Sequence, residues 1–458
     1  MALSTNEIAH LLLALMVIVL AAHTTGRLFA RLRQPPVIGE IVGGLLLGPT
    51  VVGALAPDAM DALFPTSGPV AAGLDVVNQL GLLLLMFLAG SELRTQAGQR
   101  ERRTAALVAT AGLAVPFAAG IGMALVMRRA DIAGPNGTAV TLALTLGIAT
   151  AVAAIPVISR ILMDLGIQHT AFARIVLMVA VIEDALLYVV LAVVLGLAAA
   201  HSSEGTGLWS AVGTDALLPT TAYYVAVTLL FFGACALRGP RLFQWLASRP
   251  WNVIERQNPT AFRLVFLFAG VGCCTALGIN TVFGALMAGV CAARGDAGNG
   301  DLQAEGRALH AWDAIRHFSL ALFVPVYFAT VGLHLDLVQQ LDPLFFVWFL
   351  VLACAVKGGS VWLAGVLAGE TRTVSTRLAL ALNARGTPGV LLATVTYDAG
   401  IINGSFFATL VLMSVVTCQI AGFWLERSFR HDRPAAPQQP TAPPLRERTA
   451  ADIPQEVP

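Results

Sequence analysis

Apolar stretches of about 20 residues follow one another along almost the whole chain, and each has the length an α-helix needs to cross a bilayer. Thirteen are expected as transmembrane helices: 7–29, 36–54, 74–93, 103–127, 138–163, 171–199, 216–237, 260–278, 280–293, 316–335, 341–368, 373–398 and 404–428. The stretch 280–293 is short and is included because its neighbours require a return crossing. The first could pass for a signal peptide, but it has no basic flank and carries Glu7 at its start, so it is expected to be retained. Only 12% of the 458 residues are charged, about half the share that gives a soluble domain its polar skin. The fold class is therefore all-α and polytopic, with lipid as solvent for most of the surface.

Charge also limits the partners. The 28 basic and 27 acidic residues leave a net charge of +1, which does not suit a nucleic-acid binder. All but one of the basic residues are arginine. With thirteen spans, 24 arginines fall in loops and tail on one side and two, Arg128 and Arg129, on the other. Basic loops stay cytoplasmic, so the N-terminus is expected outside and the C-terminus inside. The tail 431–458 is Pro-, Ala- and Gln-rich and reads as disordered. The six cysteines sit in apolar spans without CxxC spacing and the eight histidines form no HExxH, so neither a cofactor nor a structural metal is expected.

The chain also resembles itself. The stretch "VIGEIVGGLLLGP" pairs with "INTVFGALMAGVC", "LLMFLAGSELRTQ" with "PVYFATVGLHLDLVQ", and "TAVAAIPVISR" with "NARGTPGVLLA". Each pair lies seven spans apart. Seven is odd, so partners cross in opposite directions and the six-helix repeat is inverted, as in many secondary transporters. The third pair is interrupted near mid-span, by Pro156 in one half and by Gly386, Pro388 and Gly389 in the other. A simple kink is the bland reading of an intramembrane proline. Crossed, broken helices in matching positions point instead to a binding site, where freed backbone groups need new partners.

Ionisable residues inside a bilayer cost about 2.5–3.5 kcal/mol or more and need a reason to be there. Glu183 and Asp184 lie midway along 171–199; Lys357, the only lysine in the sequence, lies in 341–368; Arg385 adjoins the second interruption. Lys357 is expected to pair with Glu183, which can be a structural ion pair or a pair that sets how readily the site ionises. Asp184, left without a partner, becomes the candidate ligand for a proton or a monovalent cation, with neutral oxygens from Thr150, Ser159 and unwound backbone at 150–155. Arg385 is read as structural, set against the negative end of a half-helix, and Glu40 as reaching toward the interface. Adjacent Glu and Asp diverge on a helix, so the convergent carboxylates of an aspartyl enzyme are not expected.

Three stretches, "RQPPVIGEIVGGLLLGP", "TAVAAIPVISRILMDLGIQHTAFARIVLMVAVIEDALLYVV" and "LNARGTPGVLLATVTYDAGIINGSFFATLVLMSVV", resemble the monovalent cation:proton antiporters, in the branch of the Kef potassium-efflux proteins and plant cation/proton exchangers. The resemblance implies a core of helices at about 103–199 and 341–428 moving against a dimerisation scaffold at about 7–93 and 260–335, with 216–237 as linker. It implies Asp184 as the exchanging carboxylate, a homodimer in a plasma membrane, and exchange of Na⁺ or K⁺ for protons by alternating access. Two departures stand out. Glu183 occupies a position often held by an amide or Asp, and Thr387-Pro388-Gly389 fills a stretch where relatives often carry a carboxylate. They keep open proton-driven export of an organic molecule. No nucleotide-binding domain follows the last span, so gating of the Kef type is not expected.

Overall fold

The computed structural model describes residues 4–32, 36–92, 99–127, 132–154, 158, 162, 167, 170–199, 217–250, 252–279, 281–296 and 302–430. They form α1 (Thr5–Arg31), α2 (Pro36–Leu47), the short α3 (Val52–Leu55) and α4 (Pro57–Leu63), α5 (Pro69–Glu92), α6 (Gln99–Val126), α7 (Ala139–Ala151), α8 (Ala171–Ala199) and α9 (Leu217–Ser248). There follow the short α10 (Val253–Gln257), α11 (Pro259–Leu277), α12 (Thr281–Asp296), α13 (Leu302–Phe318), α14 (Val324–Leu333), α15 (Pro343–Leu367), α16 (Arg372–Ala381), α17 (Gly386–Asp398) and α18 (Gly404–Arg430). A π turn, Ser319–Phe323, joins α13 to α14. The tail beyond 430 lies outside the described residues.

Eleven helices among the described residues are long and apolar enough to cross a membrane. The expected spans at 138–163 and 280–293 are represented by the shorter α7 and α12, so length and apolarity alone do not reach the count of thirteen. Helix starts follow local chemistry. Ser4 and Glu7 form a capping box at α1, Thr138 and Thr141 form one at α7, and Asp342 accepts from the N–H groups of Leu344 and Phe345 ahead of α15. Each satisfies donors that a helix start leaves orphaned.

Helices in lipid gain little from burying apolar surface against each other and depend on close backbone approach at small residues. The inverted repeat is written in those approaches. A side chain on Gly44 of α2 would strike the carbonyl of Ala329 in α14, and one on Gly332 of α14 would strike that of Ile41 in α2. The counterparts of these two helices show the same reciprocal crossing: Gly289 of α12 against the Phe87 carbonyl, and Gly90 of α5 against that of Leu286. The paired sequence stretches thus superpose in their contacts. Gly44→Ala and Gly289→Ala are each expected to destabilise the fold by about 1–3 kcal/mol through overpacking, read as a lowered thermal midpoint in detergent.

Two groups of helices result. A panel is made by α1, α2, α5, α11, α12 and the α13–α14 unit; a bundle is made by α6, α7, α8 and α15 to α18; α9 packs on both α8 and α12. In the bundle, the segment before α7 is stitched to the turn after α17. An antiparallel bridge joins Ala133 and Ile402, Gly134 N–H donates to Ile401 O at 2.9 Å, and Asn136 Nδ2 donates to Ala399 O at 3.0 Å. We refer to this end as the bridge face.

The apolar interior is divided at mid-depth. One large cluster holds Leu146, Ala151, Leu187, Phe349, Ala353, Val390 and Met413. A second holds Val108, Ala154, Ala180, Val361, Ala384 and Cys418. Between them, on the same elements, come the buried polar residues Glu183, Asp184, Lys357, Arg385, Ser414 and Thr417. Both helix interruptions fall in this belt.

Candidate functional site

The site begins where α7 stops. Its last helical residue is Ala151, Val152 turns to an extended conformation, and 152–154 continue without helix among buried neighbours. Ending a helix inside apolar surroundings orphans the carbonyls of its last turn and concentrates the negative end of its dipole there. Two buried cations, Lys357 and Arg385, answer it. Lys357 Nζ donates to Ala151 O at 2.7 Å, and Arg385 Nη1 donates to Ala149 O. Pro156, the sequence signal for this break, and the candidate ligand Ser159 both lie outside the described residues.

Lys357 has no donor to spare. Besides Ala151 O it donates to Glu183 Oε2 at 2.7 Å and to Gly112 O at 2.8 Å, which uses all three ammonium hydrogens. The Gly112 carbonyl is available because Pro116, inside α6, has no N–H to offer the residue four positions earlier. Glu183 and Lys357 are both fully buried. A buried pair of this kind holds only when the remaining polar positions of its members are also met; the two carbonyls do that for the lysine.

Gly112 also sets the fit. A Cβ there would lie 2.7 Å from Glu183 Oε1 and 3.0 Å from Val361 Cγ2, against a carboxylate that Lys357 pins in place. Gly112→Ala is expected to destabilise the protein by about 1–3 kcal/mol, measured by thermal unfolding. Gly112→Ser should do so at least as much.

Asp184 lies beside this pair, 3% exposed, and its Oδ1 is buried with no hydrogen-bond partner, as is Glu183 Oε1. Both carboxylates therefore reach the same belt as the α7 terminus, but only Glu183 is tied to a cation by a hydrogen bond. In apolar surroundings a bare carboxylate is costly. A proton or a cation removes that cost, and one oxygen pair cannot conveniently hold both.

The second interruption differs from expectation. The helix breaks at residues 382–385, before Gly386, Pro388 and Gly389 rather than at them. These three form the first turn of α17, where a proline costs nothing because its missing N–H would have had no partner. Gly386 is at φ +40°, in the left-handed region that favours glycine. Gly389 lets α18 approach, since a Cβ there would clash with Ser414 Oγ. Arg385, fully buried, donates its backbone N–H to Thr417 Oγ1 at 3.3 Å, while its Nε and Nη2 have no hydrogen-bond partner.

Thr150 and Glu40 are engaged as follows. The Thr150 hydroxyl faces the carbonyls of Pro116, Leu146 and Gly147 at 2.7–3.0 Å, so its proton is engaged at the α6–α7 crossing. Glu40 is half-buried; its Oε2 is shut away without a partner and its stem packs beside Gly26. Gly112, Pro116 and the Ala149 carbonyl went unpredicted; the Ala151 carbonyl lies in the stretch 150–155 expected to offer neutral oxygens, and it is taken by Lys357. Pro116 was the available signal, since a proline within an apolar helix names the carbonyl it frees.

Comparison with known proteins identifies the family. Residues 15–431 match the family described as "Sodium/hydrogen exchanger, transmembrane". The chain is 28% identical over 424 residues to the Na(+)/H(+) antiporter NhaS4 of Synechocystis sp., covering 91% of this chain and 96% of that one. It is 28% identical over 412 residues to Cation/H(+) antiporter 18 of Arabidopsis thaliana, covering 89% of this chain and 47% of that one. It is 26% identical over 400 residues to K(+)/H(+) antiporter 1 of Saccharomyces cerevisiae, covering 85% and 43%. The chain thus spans about half the length of these plant and yeast relatives. In fold it is similar to the sodium proton antiporter MjNhaP1 of Methanocaldococcus jannaschii, with a TM-score of 0.60 and 14% identity over 93% of this chain and 99% of that one. The chain is a multi-pass membrane protein of the sodium/hydrogen exchanger family.

Proposed function

We propose that the chain exchanges a monovalent cation, Na⁺ or K⁺, for protons by alternating access, with Asp184 as the carboxylate that holds one or the other. The observation that carries this reading is the use of the site's donors. Lys357 is consumed by Glu183, Gly112 and Ala151, which leaves Asp184 Oδ1 buried and unpartnered. In this reading backbone oxygens of the unwound segment that Lys357 and Arg385 leave unused supply the neutral ligands that a small cation prefers. The relatives named as Na⁺/H⁺ and K⁺/H⁺ antiporters support the cargo class.

In the proposed cycle Asp184 releases its proton to one side, takes a cation from that side, and is carried across as the bundle moves against the panel. In this reading the bundle is the moving core, at about 103–199 with 341–428, and the panel is the scaffold, at about 7–93 with 260–335. A homodimer through the panel, a plasma-membrane location, and a topology with the N-terminus outside belong to the same reading. Purified protein in vesicles carrying a pH gradient and a pH-sensitive dye tests it. Addition of Na⁺, K⁺ or Li⁺ is expected to dissipate the gradient; no response to any of them from correctly inserted protein would overturn it.

A further inference from the structure

Between Asp215 and Glu255 the sequence carries three arginines, Arg238, Arg241 and Arg249, and no acidic residue. All three lie on α9, whose 32 residues make a rod about 48 Å long, against a hydrocarbon layer of about 30 Å. From Leu217 to Leu237 the helix has no charge, which is enough for one crossing. The turns from Arg238 onward therefore stand at the level of the lipid headgroups.

One side of those turns is spent on the panel. Phe243 is buried against the rings of Phe262 and Phe266, at 5.2 and 5.0 Å, Gln244 Nε2 donates to Gly295 O at 2.8 Å, and Gly239 admits the Cys291 side chain. The other side faces out. Arg238, Leu242, Trp245 and Arg249 follow at helical spacing, so they form one stripe, and all four are exposed. Arg241 is exposed at its edge. The Arg249 guanidinium lies over the Trp245 ring, 4.4 Å from its centroid, beside an aromatic of the kind that settles at the membrane surface. Val253 and Ile254 of α10 continue the exposed apolar surface, and Arg256 the basic one.

The carboxylates nearest in sequence and packing are already engaged. Arg263, buried near the start of α11, donates to Asp296 Oδ1 at 2.6 Å and to Glu255 Oε2 at 3.4 Å, and Trp312 Nε1 donates to Asp296 Oδ2 at 2.8 Å. Among the described residues, Arg238, Arg241 and Arg249 have no carboxylate partner.

We propose that this stripe binds an anionic phospholipid, with Arg238, Arg241 and Arg249 around its phosphate and its chains along Leu230 and Leu237. Those two leucines are exposed and share a helix face with Arg241. Guanidinium groups offer paired N–H donors to phosphate oxygens, and a zwitterionic headgroup would bring a cation that the arginines repel. A water-soluble phosphate ester would meet the arginines but leave the leucines and Trp245 unused. Because α9 packs on both α8 and α12, the lipid sits on the helix that joins bundle and panel. The site is independent of the cargo exchanged at Asp184.

The test uses the full chain, purified in detergent and stripped of lipid. It is titrated with phosphatidylglycerol, with phosphatidylcholine and with glycerol 3-phosphate while the thermal midpoint is followed, since a ligand of the folded state raises it by mass action. Phosphatidylglycerol is expected to raise the midpoint at concentrations where the other two do not. A basic residue at a membrane surface contributes about fivefold to anionic-lipid affinity, so Arg238→Gln/Arg241→Gln/Arg249→Gln should bind about 100-fold more weakly. Arg238→Gln and Arg249→Gln alone should each lose about fivefold, and they carry the same test if the triple variant does not fold. Arg27→Gln/Arg31→Gln, which removes two exposed arginines at the end of α1, should bind as the wild type does.

Equal stabilisation by phosphatidylcholine, or undiminished phosphatidylglycerol binding in the α9 variants, would overturn the site. So would an equal loss in Arg27→Gln/Arg31→Gln, which would make the surface a general basic rim. Glycerol 3-phosphate acting as well as the lipid would reveal a free-phosphate site and overturn it too. Each of these results leaves the exchange reading intact.

Discussion

Asp184→Asn is expected to reduce cation-driven proton movement to that of empty vesicles while the protein folds and melts as the wild type does. The amide keeps the shape of the side chain and has no proton to exchange. It also carries no charge to pair with a cation in a site that is 3% exposed. The Glu183–Lys357 pair does not depend on Asp184 for any hydrogen bond, so the site should stay assembled. Activity lost together with the fold would mean that Asp184 is a structural residue.

Lys357→Ala is expected to have the largest effect on stability, about 3–5 kcal/mol, because it strands the Glu183 carboxylate without its counter-charge. It also strips a donor from Gly112 O and Ala151 O, and each buried orphan adds a cost of about 1–3 kcal/mol unless the site relaxes. Thermal unfolding in detergent measures the loss. The double variant Lys357→Met/Glu183→Leu, which replaces both charges by apolar side chains, should recover much of it. A silent Lys357→Ala, or a double variant no more stable than the single one, would mean that the pair does not behave as a buried salt bridge.

The helices, the inverted repeat and the intramembrane charges were legible in the sequence because each leaves a one-dimensional trace. Spans show as apolar length, the repeat as glycines spaced to admit a neighbouring backbone, and the charges as rarities. The paired stretches carry small residues at close spacing, and in the structure Gly44, Gly90, Gly289 and Gly332 each admit a neighbouring carbonyl. The Glu183–Lys357 partnership was legible for a similar reason, since a solitary lysine in a span has few possible counter-charges.

Other features were hidden because they depend on backbone atoms, which every residue has. That Ala149 and Ala151 present the carbonyls taken by Arg385 and Lys357 follows from where α7 stops, which the sequence marks only within a few residues. The position of the second break was misread because proline and glycine were taken as breakers, whereas Gly386, Pro388 and Gly389 open a helix that the segment 382–385 has already interrupted. The Thr150 hydroxyl was assigned to the site by proximity in sequence. Its proton faces the carbonyls of Leu146 and Gly147 on its own helix and of Pro116 on another.

The central claim is that protons and cations compete for one carboxylate. It is tested most directly by counting protons released when Na⁺, K⁺ or Li⁺ is titrated into the purified protein in weakly buffered detergent solution. The account predicts release that saturates with cation binding and disappears, together with binding, in Asp184→Asn. Cation binding without proton release, or release undiminished in Asp184→Asn, would contradict it.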